Sequence, residues 1–164
     1  LLAEALLGAN FGNISVRSGD GFFITRKESF LDVFGQPVYV SLEGPVPDTA
    51  STEYRVHRQI FRSTSHRAIV HAHPPHAIAL SFSSDSIIPV DTEGVMFCPL
   101  IPVVEGKPGS EELAVNVTRC LLASCVAVAR GHGTFAGGKN LDDAYIRTSV
   151  AEHSCRILFL TGKL

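Results

Sequence analysis

The chain has 164 residues, 45% of them hydrophobic, and its 14 Lys and Arg residues against 16 Asp and Glu residues give a formal net charge of −2. This size and composition favour one globular domain over residues 1–164 and exclude a disordered chain. The charges are nearly balanced and form no basic run, and no apolar run reaches the roughly 18 residues of a membrane span. We therefore expect neither a nucleic-acid nor a membrane partner.

The first third of the chain is predicted to contain three strands. The opening stretch, "LLAEALLGAN", is typical of the end of a helix, so we expect further residues to precede it. Alternating strands are predicted at Ile14–Arg17 and Gly21–Thr25, joined by a Ser-Gly-Asp-Gly turn, and a third strand at Val38–Leu42. A helix over residues 49–63 follows, with Thr49 or Ser51 as the capping residue.

The remaining two thirds are predicted to contain both strands and helices. They are a strand at 67–73, a helix at 74–83 that begins with two prolines, a strand at 96–105, a helix at 109–124 capped by Ser110, a strand–turn–strand unit at 125–138 and a helix at 140–160. Hairpins mixed with helices, rather than a strict alternation of strand and helix, predict either an α+β fold or an α/β/α sandwich around a mixed sheet.

The four cysteines, Cys98, Cys120, Cys125 and Cys155, show no C-x-x-C spacing. Three of them lie in strongly apolar segments, where a buried free thiol is the usual interpretation. We therefore predict free thiols and a reducing, cytoplasmic compartment rather than a disulfide framework.

The stretch "IVHAHPPHAIALS" contains three of the seven histidines. On a strand, His71 and His73 point to the same side, so their ring nitrogens can bind one metal ion at about 2.0–2.1 Å if it is zinc. An H-x-H pair alone also fits chance or local hydrogen bonding. His76, inside the next helix, is interpreted either as a residue of the cap region or as one that contacts the metal ligands without binding the metal.

His132 lies between Gly131 and Gly133 at the end of an apolar strand. The flanking glycines have no side chains, so another group can approach the backbone closely and the backbone can adopt unusual angles. A β-turn with an incidental histidine fits the same pattern. Three neutral imidazoles with an open fourth position are typical of a catalytic metal site. The other histidines, His57, His66 and His153, are predicted on polar faces and not as ligands.

Two further stretches are suited to an anion. Gly12 and Asn13 precede a strand and can offer backbone N–H groups and an amide, as in a phosphate nest, although Gly-Asn is also a routine turn. Ser51 to Glu53 begins a helix, whose hydroxyl and N–H groups suit an anion. A helix-capping role alone accounts for the presence of Ser51. It does not account for the carboxylate of Glu53 at the same helix start.

Taken in order, "GNIS", "STEYRVH", "VHAH" and "GHG" resemble the class II aldolase/adducin family, closest to the L-fuculose-1-phosphate aldolase type. The match spans about residues 5–160. The resemblance implies a three-layer α/β/α sandwich around a mixed, largely antiparallel sheet. It also implies a homotetramer with active sites at subunit interfaces and a phosphorylated sugar as substrate.

The same resemblance implies the roles of the site residues. The residues that match the metal ligands, for Zn²⁺ or for Mn²⁺, Co²⁺ or Fe²⁺, are His71, His73 and His132. Glu53 matches the catalytic acid/base and can also ligate the metal before substrate arrives. The residues that match the phosphate-binding positions are Gly12, Asn13, Ser51 and Thr52.

Three departures from the family pattern leave the sugar specificity open. Where the family often has a Thr-Pro-Ser/Thr-Gly phosphate loop, this chain has "ITRKES". Either Arg26 or Lys27 supplies charge in place of that loop, or the phosphate is held in a different way. The family's tyrosine from a neighbouring subunit falls in "VDTEGVMF", which offers Asp91 or Glu93 for contact with the substrate. The chain also stops at Leu164, short of the tail that closes some family sites.

The implied reaction is a reversible cleavage of a ketose 1-phosphate of the L-fuculose 1-phosphate type into dihydroxyacetone phosphate and an aldehyde. A divalent ion would act as Lewis acid, and Glu53, with a pKa raised toward neutrality, would carry the proton. Metal binding should weaken below about pH 6.5, where imidazoles protonate.

Three alternatives to the aldolase reaction share the fold. A sugar-phosphate 4-epimerase is disfavoured because it usually has Asp at the position of Glu53. A methylthioribulose-1-phosphate dehydratase keeps a metal-facing Glu and is the stronger enzymatic alternative. A non-catalytic adducin-like binding module should lack the histidines, whereas this chain has all three.

Overall fold

The computed structural model describes residues 6, 11–31 and 35–163. The strands in these ranges are β1 (Asn13–Ser18), β2 (Gly21–Ile24), β3 (Val38–Ser41), β4 (Ala68–Ala72), β5 (Ser86–Ile87), β6 (Ile101–Val104), β7 (Val126–Ala129) and β8 (Gly133–Gly138). The helices are α1 (Tyr54–Ser63), α2 (Pro75–Ser81), α3 (Thr92–Phe97), α4 (Glu111–Leu121) and α5 (Leu141–Thr161). The prediction of a helix end within residues 1–10 falls outside the described residues, apart from Leu6.

The strands form one sheet in the order β3-β2-β1-β4-β8-β7-β6-β5. Every neighbouring pair is antiparallel except β6 and β7, which are parallel. The mixed sheet predicted from the sequence pattern and the largely antiparallel pairing implied by the resemblance are therefore both confirmed.

Helices cover both faces of the sheet. On one face, α1 and α4 contribute Ile60 and Leu113 to a core shared with Phe135 of β8. On the other face, α2 and α5 contribute Leu80 and Cys155 to a core shared with Ala136 of the same strand. Because neighbouring strand residues point to opposite faces, Phe135 and Ala136 serve different cores. The predicted three-layer sandwich is confirmed.

Several local predictions are also confirmed. The β1–β2 hairpin turns between Ser18 and Gly21. Pro75 occupies the first turn of α2, and the Ser110 side chain caps α4 by accepting from the Leu113 N–H. All four cysteines are free thiols. Among the helices of the described ranges, none combines the length and the apolar character that crossing a bilayer requires.

The predicted strand over residues 96–105 is wrong in its first half. Residues up to Phe97 belong to α3, and the strand β6 begins only at Ile101. The Asp91 side chain caps α3 by accepting from the Gly94 N–H, and Gly94 packs so tightly that a Cβ there would overlap Ser154 and Pro89. This tertiary contact overrides the strand-like composition of the segment.

Two predictions about α1 are also wrong. The N-cap is Glu53 rather than Thr49 or Ser51, and the Glu53 side chain makes no capping hydrogen bond. His57 does not lie on a polar face, because it is fully buried between the sheet and the helix. Its Nδ1 lies 2.6 Å from the Ser15 hydroxyl, and its ring packs edge-on against Phe135. His66 and His153 are half-buried and exposed, respectively.

Candidate active site

A cleft of about 340 Å³ opens where β4 ends and where β1 and α1 begin. The described residues that line it are Phe11, Gly12, Asn13, Arg26, Lys27, Glu28, Ser51, Thr52, Glu53, His71, His73, Pro108 and His132. The cleft thus brings together the predicted metal ligands, the predicted acid/base and the predicted phosphate-binding residues. The sheet register contributes to this convergence, because Asn13 of β1 pairs with His71 of β4.

Three imidazoles converge at the floor of the cleft. The ring centroids of His71, His73 and His132 lie 4.8–4.9 Å from one another. Each ring offers a nitrogen within 4.8 Å of the other two, and the Nε2 atoms of His71 and His73 are 3.0 Å apart. This spacing allows three nitrogens to face one small cation.

The ring of His71 is held in a fixed orientation. Its Nδ1 lies 2.9 Å from the carbonyl oxygen of Thr134, and a carbonyl can only accept, so Nδ1 carries the hydrogen. The ring also stacks on Phe135, with centroids 4.1 Å apart and planes 15° from parallel. In the neutral ring the Nε2 lone pair is therefore left to face the cluster, an arrangement common among metal-ligating histidines.

The glycines beside His132 make its approach possible. Gly131 has φ of 66°, in the left-handed region that favours glycine. A Cβ at Gly133 would overlap the Ala72 carbonyl oxygen and come within 3.2 Å of the His71 ring. The turn that carries His132 thus requires small residues on both sides.

The donor set fits a divalent metal ion. Burial lowers the pKa of His71 well below its usual range, lowers that of His73 to about 4 and lowers that of His132. Neutral imidazoles are the protonation state that binds metal. Two buried atoms, Nδ1 of His132 and Oε2 of Glu53, lack a hydrogen-bond partner among the described residues. Buried polar atoms without a hydrogen-bond partner are unusual. A metal ion bound here would provide these two atoms with a partner.

Glu53 faces the same cluster from the start of α1. Its Oε1 lies 3.9 Å from Nε2 of His132. Burial raises the pKa of Glu53 to about 7, although a hydrogen bond from the Gly109 backbone N–H opposes this shift. At neutral pH the carboxyl can therefore both donate and accept a proton.

The wall of the cleft formed by Gly12, Asn13, Ser51, Thr52, Arg26 and Lys27 carries groups suited to an anion. Gly12 has φ of 85°, and Asn13 is buried, with a side-chain NH2 group that can donate hydrogen bonds to an anion. Ser51 is buried, and its hydroxyl accepts from the Glu53 N–H. Arg26 and Lys27 line the same cleft, so this wall combines polar groups with positive charge.

The strand segment that bears these two cations is anchored to the start of α1. Arg26 forms a β-bridge with Ala50, and the Lys27 N–H donates to the Thr49 carbonyl. The Lys27 ammonium lies 3.9 Å from the Glu28 carboxylate, both being exposed. Exposed pairs at this distance are weak, so Lys27 is free to reorient toward a bound anion.

The structure does not bring Glu93 or Asp91 into the cleft of its own chain. These residues lie at the start of α3, where with His153 they form a second group whose ligand atoms lie within 4.8 Å of one another. Glu93 and His153 are exposed. A contact between Glu93 and substrate would therefore require a neighbouring subunit, as the resemblance implied.

His76 occupies the cap region of α2, as predicted, and its partner was not predicted. The Glu152 carboxylate of α5 accepts from the His76 and Ala77 backbone N–H groups at 3.1 and 3.0 Å. It also accepts from the His76 Nδ1 at 2.6 Å. This carboxylate fixes the corner at which the chain turns from His73 into α2.

Other residues of the site also escaped prediction. Phe11 stacks on His73, with centroids 5.7 Å apart, and Thr134 and Phe135 orient His71. These contacts join residues far apart in sequence, so no local pattern reveals them. The Pro108-Gly109 pair, by contrast, is a visible turn signal just before the cap of α4.

Comparison with known proteins is consistent with this geometry. The family described as the class II aldolase and adducin N-terminal domain matches residues 1–159. The crystal structure of L-fuculose-1-phosphate aldolase from Thermus thermophilus is similar with a TM-score of 0.96 and 38% identity, over 99% of this chain and 89% of that one.

Two curated relatives carry different names. An L-fuculose phosphate aldolase of Methanococcus maripaludis strain C7 is 28% identical over 158 residues, which are 93% of this chain and 87% of the relative. A probable bifunctional methylthioribose-1-phosphate isomerase/methylthioribulose-1-phosphate dehydratase of Nocardia farcinica is 26% identical over 99% of this chain and 34% of its own length. Proteins named for different reactions thus have sequences related to that of this chain.

Proposed function

Because the chain belongs to the class II aldolase and adducin N-terminal domain family, we propose that it is a divalent-metal-dependent aldolase. It would reversibly cleave a ketose 1-phosphate of the L-fuculose 1-phosphate type into dihydroxyacetone phosphate and an aldehyde. The observation that carries this proposal is the convergence of three neutral imidazoles and the Glu53 carboxyl in one cleft.

The residues that would hold the metal are His71, His73 and His132, with Glu53 as a fourth ligand before substrate binds. Zn²⁺ is the first candidate because three histidines with an open position are typical of its catalytic sites. When bound, the ion supplies a Lewis acid that stabilises the negative charge developed on the substrate oxygens as the carbon–carbon bond breaks.

Glu53 would move the proton. In the cleavage direction its protonated carboxyl donates to the carbon released from the aldehyde, and in the synthesis direction its carboxylate removes that proton. In the metal-free site the pKa of Glu53 is about 7, and a carboxyl whose pKa lies near the working pH is suited to both roles.

The wall formed by Gly12, Asn13, Ser51 and Thr52 would hold the phosphate, with charge from Lys27 or Arg26. A fixed phosphate orients the reacting bond toward the metal and Glu53 without taking part in the chemistry. Within this proposal, Lys27→Ala should raise KM more than it lowers kcat.

We further propose a homotetramer in which the start of α3 reaches a neighbouring site and presents Glu93 to the substrate. The exposed apolar residues Val95, Met96 and Phe97 of this helix support an interface there. Sedimentation equilibrium would test the assembly, and mixing Glu93→Ala subunits with Glu53→Gln subunits should restore some activity if the site is shared.

The test of the proposed reaction is the release of dihydroxyacetone phosphate from L-fuculose 1-phosphate by zinc-loaded protein. Chelator-stripped protein should release none, and added zinc should restore the release. Absence of release by protein that demonstrably holds zinc would refute the aldolase reaction with this substrate.

The second candidate is a methylthioribulose-1-phosphate dehydratase. Glu53 favours it over a 4-epimerase, which usually has Asp at this position, and the Nocardia farcinica relative carries the dehydratase name. Water loss from methylthioribulose 1-phosphate, measured on the same zinc-loaded protein, distinguishes this reaction from aldol cleavage. The intact set of histidines disfavours a non-catalytic adducin-like module.

A further inference from the structure

Two cysteine thiols touch at the edge of the core between α3 and β7. Cys98 is the residue at which α3 ends, and Cys125 immediately precedes β7. Their Sγ atoms lie 3.3 Å apart. Cys98 is fully buried, whereas Cys125 is partly exposed. The metal site uses neither thiol.

We propose that Cys98 and Cys125 form an intrachain disulfide when the protein meets a hydroperoxide, and that Cys125 is the thiol that reacts first. The contact between the sulfur atoms carries the proposal, since each sulfur must shift by less than an ångström to form a bond of about 2.05 Å. The two sulfur atoms therefore already lie close to bonding distance.

The order of reaction follows from exposure and charge. A peroxide reaches the partly exposed Cys125 before the buried Cys98. The Cys98 S–H can donate to a thiolate on Cys125, which lowers the pKa of Cys125 to about 7, while the pKa of Cys98 is raised by the same interaction and by burial. Burial also raises the pKa of Cys155 to about 12. The thiolate is the reactive form.

The chemistry balances with one peroxide. The Cys125 thiolate attacks one peroxide oxygen, the O–O bond breaks, and the departing oxygen leaves as water or alcohol, so that Cys125 becomes a sulfenic acid. The Cys98 sulfur then attacks the Cys125 sulfur, the S–O bond breaks, and the Cys98 proton leaves with that oxygen as water. Two thiols are oxidised and one peroxide is reduced.

The expected consequence is a firmer fold with an unchanged metal site. The bond would link the C-terminal end of α3 to the start of β7. His132 lies beyond the other end of this strand. About 13 Å of strand, four steps of about 3.3 Å each, separates Cys125 from the last residue of β7, Ala129. We therefore expect a higher thermal unfolding midpoint after oxidation and no change in zinc affinity.

The test is a peptide map of the native protein after treatment with hydrogen peroxide, digested without reductant. We expect a peptide pair joined through Cys98 and Cys125 that has lost two hydrogens and separates on reduction. Cys120→Ser, which removes a half-buried thiol elsewhere, should give the same map. Cys125→Ser should give no link, and Cys98→Ala should leave a sulfenic acid on Cys125 that dimedone traps.

Three outcomes would overturn the proposal. They are a link through Cys155 or Cys120, oxidation of Cys125 to sulfinic acid without any link in the wild-type protein, and trapping of Cys98 rather than Cys125 as the first sulfenic acid. The map of the wild-type protein alone shows which cysteines are linked. The proposal can therefore be overturned even if one of the variants fails to fold.

Discussion

Replacing Glu53 with glutamine in the metal-free protein should change how its stability depends on pH. The side chain is buried, only 5% of the residue being exposed, and its pKa rises from 4.5 to about 7 in the folded state. The folded protein therefore binds a proton between these values that the unfolded chain has lost. Stability from this proton is fully present below pH 4.5 and is lost as pH rises through 7.

The size of the effect follows from the two pKa values. A difference between about 7 and 4.5 corresponds to about 3 kcal/mol of folding free energy lost between about pH 4.5 and pH 8. Glu53→Gln has no carboxyl to ionise, so it should escape this loss. In turnover assays of the zinc-loaded enzyme, the same variant should lose about 10²- to 10⁴-fold in kcat, the usual contribution of a general acid/base.

Urea unfolding of chelator-treated protein at pH 5 and at pH 8 measures this effect directly. Relative to wild type, Glu53→Gln should gain about 2.5 kcal/mol in free energy of unfolding at pH 8 compared with pH 5, because pH 5 already lies half a unit inside this range. Glu112→Gln, which removes an exposed carboxyl at the start of α4, controls for the general loss of one negative charge. If Glu53→Gln changed the free energy of unfolding equally at the two pH values, the raised pKa assigned to the buried Glu53 would be wrong.

Three further predictions concern the metal and the corner that supports it. His132→Ala should hold far less than one zinc ion per chain after dialysis and should release no dihydroxyacetone phosphate, as metal analysis and a coupled assay would check. Zinc should remain bound through pH 6.5 and leave only toward pH 4, because burial lowers the pKa of His73 to about 4; release near pH 6 in a dye-based titration would contradict this. Glu152→Ala should lower the free energy of unfolding by about 3 kcal/mol, because it strips the partners from the His76 and Ala77 N–H groups. Glu152→Gln, which retains an acceptor, should lose less in the same urea titration.

The sequence predicted the parts of the site that depend on local geometry. His71 and His73 point together because residues two apart on a strand share a face, and the glycines beside His132 signalled its close approach. The sequence-based expectation that metal binding weakens near pH 6.5 used the pKa of free imidazole. Burial in the folded chain lowers that value, and no local pattern encodes the burial.

Other features could not be predicted because distant contacts decide them. His57 lies in a helix whose sequence is largely polar, yet it faces the core and packs on Phe135. The segment before Cys98 has strand-like composition but forms α3, since Gly94 must fit against Ser154. The Thr134 carbonyl orients His71 across 63 positions of sequence. In each case the deciding partner lies on another element.

The most direct test of the central claim is an anomalous diffraction map of the zinc-loaded protein, recorded at the zinc absorption edge. We predict one strong peak bound by His71, His73 and His132 at about 2.0–2.1 Å from each ligand nitrogen. A peak only at the exposed group of Asp91, Glu93 and His153, or no ordered zinc between the three imidazoles, would contradict the account.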